Sequence, residues 1–314
     1  MQLIPPPELV TAKFTSALQK LAGDNARVLL AVSGGSDSLA MLLLAYAAVP
    51  KRISAATVDH QLRPEAAAEA DFVAALCERM NIPHTILRPP EPITGNLQSQ
   101  ARTVRYALLQ SQANADGCDC IATAHHADDQ LETVLMRIMR GSGIDGLAAV
   151  RAQKGQIIRP MLSFTKSELE DICAQSGVTP VRDSSNSDDS FDRVKMRQWL
   201  ASTPHPFDPL RAVRTATAFG DAAEALEWMT DDVFEKRVLC DGESLILTAT
   251  GLPREIQRRL LLRILDRIQP GYIPRGEAAE NALHTLLSGG QQLLGDVLCK
   301  GGETWHFRLA PQRR

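Results

Sequence analysis

Residues Arg27–Ser38 read RVLLAVSGGSDS, an apolar, strand-like run that breaks into a turn of serines and glycines with one carboxylate, Asp37, near its end. The adjacent Gly34 and Gly35 permit left-handed angles and close approach of the backbone to an anion, while Ser33, Ser36 and Ser38 add hydroxyls to the converging N–H groups. Leu39–Tyr46 (LAMLLLAY) follows as a run of helix formers, so the turn is expected to open a helix whose N-terminus favours phosphate. Asp37 is out of place in such a cradle. A carboxylate repels a phosphate unless a cation lies between them, which points to Mg²⁺ on a polyphosphate with Asp37 as its ligand. The loop is not a Walker A sequence, which requires GxxxxGK[ST], because no lysine occurs in this segment.

The segments around this turn set the fold class. VLLAVS (28–33), ISAATVD (53–59), HTILR (84–88), CIATAHH (120–126) and IIRPML (157–162) read as strands, with helical stretches at 38–48, 65–80, 97–115 and 128–140 between them. Near-continuous apolar strands alternating with helices predict an α/β fold with a doubly wound, Rossmann-like parallel sheet. Ligands of such sheets sit at the strand C-termini. The polar residues after each strand are therefore expected to converge: Ser33–Ser38, then Asp59 and His60, then His125 and His126. Asp59 and His60 fall where this fold meets the adenosine half of a nucleotide.

From Val181 to Pro209 the composition turns polar and then proline-punctuated, which reads as a loop, a short helix and a linker. Beyond it, Arg211–Val233 looks helical, SLILTAT (244–250) a strand, Pro253–Ile268 a proline-started helix and Trp305–Leu309 a strand. The expected organisation is a catalytic domain over 1–208 and a smaller α-rich C-terminal domain over 209–314.

Composition excludes several classes. At 314 residues the chain accommodates about two domains. No apolar run reaches the roughly 20 residues of a membrane span, and MQLIPPPELV lacks the basic start and apolar core of a signal. A cytoplasmic location without a membrane partner is expected. Cys77, Cys118, Cys120, Cys173, Cys240 and Cys299 form no CxxC pair and read as buried thiols. A net charge of −3 gives no global attraction to nucleic acid, so such binding would need a local basic patch. Arg254, Arg258, Arg259, Arg263 and Arg267 form one candidate stripe, either a solvated helix face or a phosphate contact.

After the fourth strand comes AHHADDQLET (124–133). With a helix starting at Asp128, Asp129 and Glu132 lie at i, i+3 on one face, able to hold a cation; the alternative is that Asp128 and Asp129 cap the helix. Arg102 and Arg105, in ARTVRY, are one helical turn apart, and surface salt bridging is the plain reading of both. HExxH is absent, which weakens a zinc-protease reading.

SGGSDS, VDHQLR (58–63), GNLQSQARTVRY (95–106), AHHADDQLET, RGSGIDGLAAV (140–150), IIRP (157–160) and RDSSN (182–186) together resemble the tRNA(Ile)-lysidine synthetase family of N-type ATP pyrophosphatases, in family order over about residues 27–200. The resemblance implies a ligase that uses ATP to activate the wobble cytidine of an isoleucine tRNA with a CAU anticodon. Free L-lysine then attacks C2, giving lysidine, AMP and pyrophosphate. It implies that the SGGSDS loop binds ATP with Mg²⁺ at Asp37, that Asp129 and Glu132 bind the lysine, and that His125, Arg105 and Arg197 join Asp37 in catalysis. Two departures stand out. Arg193-Val194-Lys195-Met196-Arg197 has Val194 where the family pattern R-N-x-x-R has asparagine. The chain is also short for the family, many members of which carry a second C-terminal domain, so only the first is expected. A sulfur-transferring tRNA thiolase is the nearest rival, but such enzymes usually need paired cysteines. A nucleotide sensor without turnover is the other, and Asp37, Asp129 and Glu132 are more acids than simple polyphosphate binding requires.

Overall fold

The computed structural model describes residues 3–92, 97–181, 192–274 and 276–311, and the backbone groups into two units, Met1–Gly220 and Asp221–Arg314. The division falls inside a long helix, Pro209–Arg237, that begins at the domain boundary expected from sequence. In the first unit the elements run α1 (Glu8–Ala22), β1 (Val28–Ala31), α2 (Ser36–Ala48), β2 (Ile53–Val58), α3 (Glu65–Arg79), β3 (His84–Leu87), α4 (Leu97–Ala115), β4 (Cys120–Ala122), α5 (Ala127–Met139), α6 (Ile144–Leu147), β5 (Gln153–Lys154), β6 (Ile157–Ile158), α7 (Lys166–Gln175) and α8 (Asp192–Ser202). The strand order is β3-β2-β1-β4-β6-β5. All neighbours are parallel except β5, which turns back antiparallel on β6. The doubly wound parallel sheet is therefore present. RDSSN (182–186) and the first two residues of GNLQSQARTVRY lie outside the described residues.

Alternation along the strands divides the core between the two sheet faces. Val28 and Leu30 of β1, Ile53 and Ala55 of β2 and Cys120 and Ala122 of β4 pack with Phe14 of α1, Leu39–Ala45 of α2, Val73 and Leu76 of α3 and Leu169 and Ile172 of α7. Leu29, Ala56 and Ile121 point the other way, onto Leu109 and Ala113 of α4. Period-two alternation with apolar residues at both phases is what a sheet covered on both faces requires. Helix α2 is apolar all round, with every residue from Ser38 to Ala45 buried, so it lies in the core rather than on it. Helices α1 and α7 are additions to the expected set.

The second unit takes the C-terminal part of α9 (Pro209–Arg237), then β7 (Val238–Asp241), β8 (Ser244–Thr248), α10 (Arg254–Ile268), α11 (Gly276–Leu287), β9 (Gln291–Leu294), β10 (Val297–Lys300) and β11 (Thr304–Leu309). Besides the expected helices it holds a five-stranded antiparallel sheet in the order β7-β8-β11-β10-β9. Hairpins close it through Gly242 and Gly295, both at φ +57°, where a two-residue loop needs a positive φ. Leu260, Leu261, Ile264 and Leu265 of α10 pack with Trp305 and Phe307 of β11 in a core of its own. Among the described residues no helix is long and apolar enough to cross a membrane.

Candidate active site

Strand register brings three loops to one edge of the parallel sheet. Val28 pairs with both Ile53 and Cys120, so β1, β2 and β4 run level and release their chains together. The strand order reverses between β1 and β4, the switch point where this class of sheet binds ligands. Ser33–Asp37 leaves β1 on one side of that crevice, and Thr123–His126 leaves β4 on the other.

The first loop is built by internal bonds. Gly34 stands at φ +88°, and its carbonyl accepts the Val181 N–H at 3.0 Å. A Cβ at Gly34 would meet its neighbours at an ordinary 3.5 Å, so conformation rather than space demands glycine there. Gly35 is the N-cap of α2, with Ser36, Asp37 and Ser38 in its first turn. The buried Ser38 hydroxyl accepts the Ser33 N–H at 3.1 Å and donates to the Gly35 carbonyl at 3.0 Å, and Ser33 Oγ lies 3.3 Å from it. Ser38 thus braces the loop, while the Ser36 hydroxyl accepts from Lys166 Nζ at 2.8 Å.

Asp37 is held on both oxygens. Its Oδ1 accepts from Lys166 Nζ at 2.7 Å, and its Oδ2 lies 3.6 Å from His126 Nε2. Burial would raise its pKa, but His126 and Lys166 outweigh it and bring the carboxyl down to about 2. His126 is buried and surrounded by acids: Asp128 at 3.5 Å, Asp129 at 3.6 Å and Asp37. Burial disfavours its charge, yet Asp128, Asp37 and Asp129 raise its pKa to about 9, so it is an imidazolium at neutral pH. His125 is the opposite. Burial, reinforced by Arg159, Arg193 and Arg102 against Asp129, lowers its pKa to about 4, and its Nδ1 sits 3.0 Å from Thr123 Oγ1.

The α5 acids bond to three different elements. Asp129 Oδ2 accepts the His126 N–H at 3.1 Å and caps its own helix, while Asp128 Oδ2 accepts the Lys166 N–H at 2.7 Å and caps α7. Asp129 Oδ1 and both oxygens of Glu132 face α8. Arg193 reaches Asp129 at 2.8 Å and Glu132 at 2.9 Å, and Arg197 reaches Glu132 at 2.8 Å. Glu132 is 3 % exposed, so its charge is compensated by these two guanidiniums. The hydrogen bond that Arg197 donates to Glu132 raises the Arg197 pKa further.

Arg105 and the β2 loop form a flank of the site. Arg105 Nε lies 3.3 Å from His60 Nε2, and burial together with Arg105 lowers the His60 pKa against the pull of Asp59. The buried Asp59 accepts the Gln61 N–H at 2.9 Å and faces Arg88 Nε at 3.2 Å. Asp59 and Arg88 line an open pocket with Gln61, Leu62, Arg63, Pro64 and Ala67.

Sequence reasoning missed two members of this cluster, Lys166 and Arg193, and expected His126 to converge here without giving it a role. For Lys166 a signal existed, because Thr165-Lys166-Ser167-Glu168 is a capping box, which marks a helix start. Among the described residues no group of three or more His, Cys, Asp or Glu side chains is arranged to hold a metal. Asp37 fits Mg²⁺ in the mode where one carboxylate joins the phosphates of the ligand.

The α10 arginines are largely internal partners. Arg259 pairs with Glu227 and Glu255, each at 3.0 Å, Arg263 with Glu227 and Asp231, Arg258 with Glu255 at 2.7 Å, and Arg254 with Glu280. These carboxylate partners all belong to the second unit; Arg259 is buried and Arg267 is exposed.

A glycine-serine loop opening a helix at the switch point of a parallel sheet, answered across the crevice by a histidine-acid loop, defines a PP-loop nucleotide-binding domain. Residues 8–203 match the family model for that domain, ATP_bind_3. The chain belongs to the tRNA(Ile)-lysidine synthase family. It is 42% identical to the tRNA(Ile)-lysidine synthase of Zymomonas mobilis over 91% of this chain and 89% of that one. It is 39% identical to the Novosphingobium aromaticivorans enzyme of the same name, over 92% and 90% respectively. Among solved structures, the U34-tRNA thiolase NcsA from Methanococcus maripaludis shares the fold at 19% identity and a TM-score of 0.53, covering 68% of this chain and 78% of that one.

Proposed function

We propose that this chain is a ligase that joins L-lysine to C2 of the wobble cytidine in an isoleucine tRNA with a CAU anticodon, consuming ATP and releasing AMP and pyrophosphate. The observation that carries the reading is the pairing, at one switch point, of a phosphate loop with a separate acid pair, the half-buried Asp129 and the buried Glu132. One half suits a nucleotide and the other an amine.

In the first step the cytosine O2 attacks the α-phosphorus of ATP. The bond to the β-phosphate oxygen breaks and pyrophosphate leaves with its electrons. Charge developing on that leaving group meets the α2 N-terminus and the Ser36 hydroxyl, preorganised donors that cost no reorganisation at the moment of reaction. Asp37 would hold Mg²⁺ there, which supplies charge neutralisation on the phosphates. Asp59 and His60 border the adenosine side, and Arg105 stands beside them to face the phosphate or the activated base.

In the second step the lysine ε-amine, at a reference pKa of about 10.4, has to lose a proton before it attacks. Asp129 and Glu132 draw the ammonium in by exchanging a guanidinium of Arg193 or Arg197 for it, and the freed arginine turns its charge to the AMP leaving group. The C2–N bond forms, the C2–O bond breaks and AMP departs. His125, uncharged above about pH 4, takes the proton that the ammonium sheds before the attack, and the proton the adduct then loses goes to the phosphate of the departing AMP. His126 already carries a proton and is left to position Asp37.

Thiol chemistry has less support. Among the six cysteines only Cys240 is exposed, and burial pushes Cys77, Cys173 and Cys299 up to about 12 and Cys120 to about 11, far from a reactive thiolate. The test is transfer of labelled lysine to unmodified tRNA together with tRNA-dependent ATP–pyrophosphate exchange. Lysine incorporation and exchange are expected in the wild type. Asp37→Asn is expected to abolish exchange, and Glu132→Gln to raise the lysine requirement while exchange persists. Exchange without lysine transfer would end the reading.

A further inference from the structure

The phosphate loop lacks a lysine in sequence, yet the fold supplies one. Lys166, at the first position of α7, donates to Asp37 Oδ1 at 2.7 Å and to Ser36 Oγ at 2.8 Å, with Glu170 a further 3.8 Å ion-pair neighbour. Its place is fixed by the rest of α7. Thr165 and Glu168 cap the helix, Asp128 accepts the Lys166 N–H, Leu169 and Ile172 are buried in the core, and Cys173 Sγ bonds the Ser36 carbonyl at 3.3 Å. Two separate residues of α7 therefore grip the same loop residue. The Lys166 side chain is 39% exposed, so its ammonium stands at the open mouth of the loop, where a plain ion pair would add little stability.

We propose that Lys166 is the pyrophosphate-binding lysine of this loop, parked on Asp37 in the absence of nucleotide and transferred to the β- and γ-phosphates when ATP binds. An ammonium on a flexible four-carbon stem can make that move while its helix stays fixed. In the nucleotide-free protein Lys166 neutralises Asp37. With ATP bound, Asp37 is released to the cation that accompanies the phosphates, and the lysine follows the charge of the leaving pyrophosphate. This inference rests on the SGGSDS loop being the site of the ATP phosphates, and it adds a residue more than 120 positions downstream.

The test is isothermal titration of the full chain with inorganic pyrophosphate and, separately, with adenosine, in the presence and absence of Mg²⁺. A charge-assisted hydrogen bond predicts that Lys166→Met weakens pyrophosphate binding roughly ten- to hundredfold and leaves adenosine binding unchanged. Lys166→Arg should retain most of the affinity. Without Mg²⁺, Asp37→Asn should tighten pyrophosphate binding, because Lys166 no longer has a competing partner, and the gain should shrink in the double variant with Lys166→Met. Equal pyrophosphate affinity in wild type and Lys166→Met, with the wild type binding well, would overturn the inference alone. Parallel loss of adenosine and pyrophosphate would also overturn it, since that marks a merely structural role. Absence of pyrophosphate binding by the wild type would overturn both the inference and the reading of the loop.

Discussion

His125 and His126 are neighbours in sequence and opposites in charge. Three carboxylates hold the His126 pKa up at about 9, whereas desolvation, with the charges of Arg159, Arg193 and Arg102 behind it, holds that of His125 down at about 4. The signs of their pH effects differ. A folded pKa raised above the usual 6.5 means that the His126 contribution is complete below pH 6.5 and is lost as pH rises through about 9, an effect on the order of 3 kcal/mol. A depressed folded pKa means that the His125 environment is fully tolerated above pH 6.5 and costs stability as pH falls from there toward about 4. His126→Gln should therefore remove the decline in stability between about pH 6 and about pH 10, measured by urea unfolding at both. Glu132 gives a second prediction. Glu132→Gln leaves Arg193 and Arg197 facing a neutral amide and should cost about 1–3 kcal/mol, read as a lower urea midpoint at unchanged slope. The sequence marked Asp37, Asp129 and Glu132 because charge just after a strand is conspicuous, and Arg197 through the resemblance to the family's pattern. It did not mark His126 over His125, since the ring environments come from three separate loops.

At the scale of elements, the helices flanking the expected strands were legible because their apolar periodicity is long and unbroken. The start of α2 was less so: Ser36–Ser38 reads as turn composition but belongs to the first helical turn, where small polar residues are favoured. The antiparallel sheet of the second unit was harder still. LLGDVL (293–298) carries a Gly-Asp hairpin signal, but strands of four residues with polar neighbours give weak alternation. Two substitutions test element-level claims. Thr165→Ala removes the cap of α7 and should lower stability by about 1 kcal/mol in thermal or urea melts. Because α7 also carries Lys166, pyrophosphate affinity should fall with it. Gly34→Ala meets no steric neighbour closer than 3.5 Å, so its cost should be that of a left-handed alanine, about 1–2 kcal/mol by the same melts.

Among the described residues the first unit packs apolar side chains on both faces of the parallel sheet, and the second packs its own core around α10 and the antiparallel sheet. Leu261 is fully buried in the second. Leu261→Ala should destabilise that unit by roughly 2–5 kcal/mol, seen in calorimetry as a lowered transition, while pyrophosphate binding by the first unit is unchanged. By itself the sequence determined the parallel sheet, the phosphate loop, the acid pair and the family, because each rests on local spacing: period-two strands, glycines at a turn and carboxylates one helical turn apart. Only the tertiary structure decided which charges meet. Lys166 on Asp37, His126 among three acids and Arg193 with Arg197 on Glu132 join residues far apart in the chain, and Coulomb energy depends on distance in space, which the order of residues does not contain.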